Sequence, residues 1–251
     1  MSGLELLLLV CAGVAAGLAG SIAGLASLIS YPALLAVGLG PVAANVTNTV
    51  ALVFNGLGAT LGSRVELQGQ AVRVRQLTIA AVLGGAVGAT LLLLTPSGTF
   101  EQIAPWLIGV ASLAVLVRPR VRAAERGGNE HGGDGGGLVA GVFLIGIYGG
   151  YFGAAAGVML LALLLGATDD TLARSNALKN VLLAIANVTA ALGFIVLGPV
   201  HWDAVAPLAL GLFSGARLGP IVVRHSNAGV LRALIGLAGL ALAVKLGADA
   251  Y

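Results

Sequence analysis

Apolar positions run almost without a break along this chain, so its interruptions carry the information. From Leu6 to Ser63 there is no charged residue. As helix, at ~1.5 Å per residue, that stretch would be nearly three times the ~30 Å hydrocarbon core, so it folds back at least once. The pattern predicts a first segment from about Leu4 to Leu39, with helix to about Ser27, a break at Ser30–Pro32 and a short half-helix over Ala33 to Val37. Proline lacks the backbone donor and crowds the preceding turn, which gives that break a mechanism. Gly38-Leu39-Gly40-Pro41 reads as a turn.

Further apolar segments follow at Val42–Gly62, Leu77–Leu94, Ile103–Val117, Leu138–Thr168, Leu172–Leu197, Ala204–Val223 and Ala228–Leu246. Asp169-Asp170-Thr171 is placed to cap the sixth. Residues 118–137 hold four arginines and a run of glycines, can bury little, and read as a flexible cytoplasmic linker. The expected fold is therefore all-α, a polytopic transmembrane helical bundle of about eight helices. It divides into a first four-helix repeat (1–117), the linker (118–137) and a second four-helix repeat (138–251), each with a broken first helix.

The halves are weakly alike. GSIAGLAS from Gly20 lies on GYFGAAAG from Gly150, Ala44–Thr47 on Ala173–Asn176, and Gly88-Ala89 on Gly215-Ala216. Repeats of this kind mark transporters. Four full crossings per half would make the repeats parallel. Arginine instead clusters after segments two, four and seven, a pattern better suited to inverted repeats whose first segments turn back. Both arrangements remain open on hydropathy alone. Small-xxx-small spacings such as Gly84/Gly88 and Gly211/Gly215 point to close helix packing.

Composition narrows the class. The 251 residues are 58% hydrophobic and 9% charged, against about 25% charged in soluble domains. The net charge of +3 is loop arginine, with no aromatic-interleaved basic run that would bind nucleic acid. Cys11 is the single cysteine, so no intramolecular disulfide or thiolate cluster forms. The N-terminus has Glu5 and no basic residue, unlike a cleaved signal peptide. The three histidines lie in loops, no metal-ligand spacing or phosphate-binding loop occurs, and neither an enzyme nor a cofactor is expected.

Polar residues inside the spans are the candidate chemistry. One half-site would comprise Ser27, Ser30, Tyr31, Asn45, Thr47 and Asn48; the other would comprise Ser175, Asn176, Lys179 and Asn180, with Arg217 as a second cation. Lys179 is two turns into its segment. It reads either as a site residue or as a lysine reaching back to the interface, and its polar neighbours favour the site. Arg217 has the competing reading of a segment end. Asn55 and Asn187 read as interhelical hydrogen-bond residues rather than ligands. Hydroxyls, amides and one or two cations, with no carboxylate deep in a span, suit a small anion.

The glycine-rich first helix leading to Tyr31-Pro32-Ala33-Leu34-Leu35, the Ala44–Thr47 opening of segment two and SGARLG at Ser214–Gly219 resemble the TauE/SafE family of membrane permeases, the sulfite exporter family. The usual triple glycine is absent: Leu25, Ala26 and Ser27 stand there, with Ala155, Ala156 and Gly157 in the second half. The resemblance implies an inner-membrane (plasma-membrane) transporter whose substrates are sulfite, sulfonates or related organic anions. Its partners would be that small anion and the lipid bilayer, with a homo-oligomer open. A channel-like facilitator and a non-transporting accessory protein are the alternatives.

Overall fold

A computed structural model describes residues 1–116 and 135–223, with seven single positions between 237 and 248. The expected linker up to residue 134 and nearly all of the eighth segment, with Arg224 and Arg232, lie outside the described residues. The described chain is helical throughout: α1 (Gly3–Ala23), α2 (Ser27–Ala36), α3 (Pro41–Gly62), α4 (Ala71–Leu94), α5 (Ser97–Leu116), α6 (Gly135–Tyr151), α7 (Ala156–Ala167), α8 (Leu172–Leu197) and α9 (Trp202–Val223). Among these, α1, α3, α4 and α8 are long and apolar enough to cross a membrane. Large apolar side chains such as Ile79, Leu94, Trp106, Val196 and Leu210 stand on the outside, a surface suited to lipid.

The first break falls earlier than proline chemistry predicts. α1 ends at Gly24, whose φ of 73° is left-handed, and Pro32 lies inside α2. A left-handed residue ends a helix more decisively than proline, because it reverses the chain while its N–H still satisfies a terminal carbonyl. The Gly24 N–H donates to Gly20 O in this way. The fifth segment breaks alike: Gly153 has φ 76° and Ala155 φ 59° between α6 and α7.

Close approaches fix the direction of each helix. Gly13 of α1 meets Leu208 and Gly211 of α9, and Gly17 meets Leu212 and Gly215, so α1 and α9 are parallel. Thr47 meets His201 and Gly58 meets Phe213, so α3 is parallel to α9 as well. Since α1 and α3 point the same way, α2 between them must run back. In the second half, Gly84 meets Phe143 and Gly88 meets Ile147, making α4 parallel to α6. Gln70 meets Arg174 and Gly85 meets Ala186, making α4 parallel to α8. Thus α7 also runs back. Gly56 against Ala184 and Val46 against Gly198 show that α3 and α8 are antiparallel. The α1–α2 and α6–α7 hairpins therefore enter from opposite faces, and the arrangement is inverted.

Each hairpin packs chiefly on the other half, α1 on α9 and α6 on α4. Glycine makes this possible: a Cβ on Gly84 would stand 2.5 Å from Phe143 O, and one on Gly13 would stand 2.5 Å from Leu208 O. The inversion also gathers charge. Arg64, Arg73, Arg75, Arg174 and Arg217 fall at the face where α3 and α9 end and α4 and α8 begin, while Glu5, Glu101 and Asp203 sit near helix starts at the other.

Candidate functional site

The two returning helices begin where the hairpins meet. Gly24 lies against Gly157, so the start of α2 faces the start of α7. Between them is a cavity of about 40 Å³, lined by Gly20, Gly24, Ser27 and Asn55 from the first half. Gly149, Gly153, Gly157, Asn180 and Asn187 complete it from the second. Neither α2 nor α7 has a side-chain N-cap; most of their first-turn N–H groups bond carbonyls of the preceding turn, as Leu28 does to Leu25 and Val158 to Ala155, so what the helix starts bring to this space is chiefly their positive dipole ends.

The opposite, negative helix ends are satisfied by side chains. Lys179 Nζ donates to Gly20 O at 3.3 Å, and Asn176 and Asn180 both donate to Ser21 O, at 2.9 and 3.3 Å, at the end of α1. Asn45 donates to Tyr151 O at 2.8 Å at the end of α6, and the Tyr148 hydroxyl donates to Ala154 O. Carbonyls left without an intrahelical partner at a broken helix end need such donors inside a membrane; Gly20 O, which also accepts from the Gly24 N–H, takes Lys179 as a second donor.

This pairing reveals the structural equivalence of the halves. Asn45 and Asn176 occupy the same place in α3 and α8, and Asn48 matches Lys179. The sequence comparison that sets Thr47 against Asn176 is therefore displaced by two residues, and the one that sets Gly88 against Gly215 by about a turn. Gly84, which meets Phe143 and Gly146, is the counterpart of Gly215, which meets Val14 and Leu18.

Of the predicted site residues, Ser27 and Asn180 line the cavity. Asn48 supports the first, donating to Ser27 Oγ at 3.3 Å and accepting from Ser30 Oγ at 2.5 Å. Ser30 also donates to Ala26 O. Asn45, Asn176 and Lys179 hold the helix ends just described. Thr47 accepts from the His201 N–H at the start of α9, away from the cavity. Tyr31 is buried edge-on to Phe152, with ring centroids 5.3 Å apart. Ser175 is buried with its hydroxyl unpartnered. Arg217 is exposed on α9 and does not join the others.

Asn55 and Asn187, read from sequence as packing residues, are instead both on the cavity. Their signal was position: each lies within a turn of the crossing marked by Gly56 and Ala184. A second polar cluster ties the halves on the arginine-rich face. Asp170 is bonded by Arg73 from α4 and by Arg174 Nε at 3.1 Å, Arg174 Nη1 donates to Gln68 O, and Gln70 donates to Arg174 O. Beside it opens a recess of about 280 Å³. Thr171, as expected, is the N-cap of α8, whereas Asp170 serves this network.

Two opposed hairpins meeting at a small cavity inside an apolar bundle mark a multi-pass membrane protein. The family model described as Sulfite exporter TauE/SafE matches residues 9–246. The chain belongs to that family, one of membrane transporters rather than enzymes. It is 29% identical over 237 residues to the probable membrane transporter protein YfcA of Escherichia coli K12, covering 94% of this chain and 87% of that protein. It is 27% identical over 251 residues to a probable membrane transporter protein of Haemophilus influenzae, with 97% and 95% covered. A Sinorhizobium protein, ORF9, is 27% identical over 242 residues, with 93% and 89% covered. No solved structure matches.

Proposed function

We propose that this protein is a secondary transporter for a small anion, sulfite or a compact sulfonate, working by alternating access between the halves 1–117 and 138–251. The observation that carries this reading is the set of amides and helix starts gathered at the cavity between the two halves. Two uncapped helix N-termini face it, while the helix C-termini beside it are satisfied by Lys179, Asn45, Asn176 and Asn180. Its polar side chains are a hydroxyl and three amides, set among Leu52, Leu183 and alanines, with no carboxylate. Such a site offers donors and partial positive charge to an anion. The cavity holds roughly three waters' worth of volume, which suits a compact oxyanion. The Asp170 network would close the path on its face, with the hairpins moving against the other helices as access alternates.

The arginine-rich face is assigned to the cytoplasm of a cell (inner) membrane. In a Cys11→Ser background, Val65→Cys should then react with an impermeant thiol reagent from the inside and Ser97→Cys from the outside. Reaction of both from one side would mean that α4 does not cross, and would overturn this assignment of the two faces.

The function itself is tested with purified protein in liposomes. Sulfite uptake should saturate and show counterflow, and Asn187→Leu should lower it by at least about tenfold, since a donor to a bound oxyanion contributes about 1.5–3 kcal/mol. Flux without saturation or counterflow would instead make the protein a channel-like facilitator. No flux of any anion would make it an accessory protein.

A further inference from the structure

We infer that Ser27 is the hydroxyl that grips the carried anion, and that Asn48 is a positioning residue that turns the Ser27 proton toward the cavity. The inference rests on the anion-transport reading above and adds which side chain contacts the oxyanion and what orients it.

The break in the first hairpin leaves Ser27 with a proton to give. Hydroxyls inside helices often return theirs to the carbonyl four residues back, as Thr49, Thr78, Thr189 and Ser214 do here. Ser27 is the first residue of α2, and the chain turns at the left-handed Gly24 just before it. Four residues back stands Ala23, the last residue of α1, so no turn of its own helix lies beneath this hydroxyl. Among the described residues, Ser27 Oγ accepts one hydrogen bond, from Asn48 Nδ2 at 3.3 Å, and donates none. Yet Ser27 is only 6% exposed, and it lines the central cavity. A buried donor of this kind calls for an acceptor.

Asn48 decides which way the hydroxyl points. Its fully buried amide sits between Ser30 and Ser27. The 2.5 Å contact with Ser30 Oγ has the length of an O–H···O bond and is too short for an amide N–H, whereas 3.3 Å to Ser27 Oγ lies nearer the amide range than the hydroxyl range. Oδ1 therefore faces Ser30, which shares its proton between Asn48 Oδ1 and Ala26 O, and Nδ2 faces Ser27. With an amide N–H directed at its oxygen, Ser27 cannot give its own proton to Asn48. The open side left to it is the cavity. A hydroxyl held in this way donates to an ionised oxygen, beside the positive end of α2. The device is one-sided. α7 starts with Ala156 and Gly157, which have no hydroxyl, and Lys179, the match of Asn48, bonds Gly20 O.

The test is calorimetric binding of sulfite and methanesulfonate to the full-length protein in nanodiscs. Ser27→Ala should weaken both anions by about tenfold or more, the loss expected for a hydrogen bond to a charged group. Ser27→Cys stays close in size but is a weak donor, and it should lose most of the same affinity, which keeps the contact testable if Ser27→Ala folds poorly. Asn48→Ala should weaken binding to a similar degree in the wild-type background and have no further effect in a Ser27→Ala background, because it acts through Ser27. A merely structural Asn48 would cost as much in either. Should Asn48→Ala not fold, Ser30→Ala, which frees the amide to turn over, takes its place in the same cycle. Wild-type affinity in the Ser27 variants would overturn the inference while leaving anion transport standing. Equal losses in both backgrounds would overturn the positioning role of Asn48. Binding of neither anion by the wild-type protein would overturn the inference and the transport reading together.

Discussion

Gly24→Ala should abolish transport and lower the melting temperature of the detergent-solubilised protein sharply. Two costs coincide at this position. Its φ of 73° places a Cβ against the following carbonyl, a strain of about 1–2 kcal/mol. The same Cβ would stand 2.5 Å from the Gly157 carbonyl carbon, and overpacking of a closed interior costs about 1–3 kcal/mol more. The obstacle is backbone, so no side chain can rotate out of its way. Gly157→Ala carries the second cost without the first, since Gly157 is helical. Gly38 is the control: its φ is 91°, yet nothing lies within 4 Å of where its Cβ would be. Gly38→Ala should destabilise mildly and leave flux near wild type. If Gly24→Ala and Gly38→Ala behave alike, the hairpin contact is not what shapes the site.

Asp170→Asn should open the arginine-rich face without unfolding the protein. Arg73 and Arg174 are more than a third exposed, so water can take over their solvation and the stability cost should stay within about 1 kcal/mol. A bias of that size is about fivefold in a conformational equilibrium. In a Cys11→Ser background, Leu183→Cys on the cavity wall should therefore label several-fold faster from that face when Asp170 is replaced. An Arg73→Asp, Asp170→Arg exchange should restore the slow rate in part. Equal labelling with and without Asp170 would show that the network ties the loops but does not guard the path.

Much of the fold was readable because hydropathy in a membrane protein is nearly a direct statement of burial in lipid. The sixth segment, expected at Leu172–Leu197, is α8, and the second differs from α3 by one residue. The helix ends that moved are those extending beyond the apolar stretch: α4 begins at Ala71, taking in Arg73 and Arg75, and α5 begins at Ser97. The break at Gly24 was misplaced because proline announces itself by type, whereas glycine terminates a helix only where its dihedral demands it. At Gly24 the neighbours settle the matter, and in a chain with 39 glycines residue type alone does not. The polar residues were recognised as a set, yet their roles were not. Amides that serve a carbonyl at a broken helix end, such as Asn45 and Asn176, cannot be told from cavity amides such as Asn55 and Asn187 until the partner helices are placed.

The exchange of hairpins between the halves bears on how the protein is made. α1 finds its main partner, α9, only after roughly 200 further residues have been synthesised, whereas α6 emerges with α4 already in place. The glycine-lined face of α1, with Gly13 and Gly17, is thus buried late during biogenesis, after the other described helices have been made. A chain truncated before Trp202 should leave that face in lipid and fall to quality-control proteolysis. Two fragments divided between Leu116 and Gly135 and produced together should assemble, because the contacts that complete each half are held by the other.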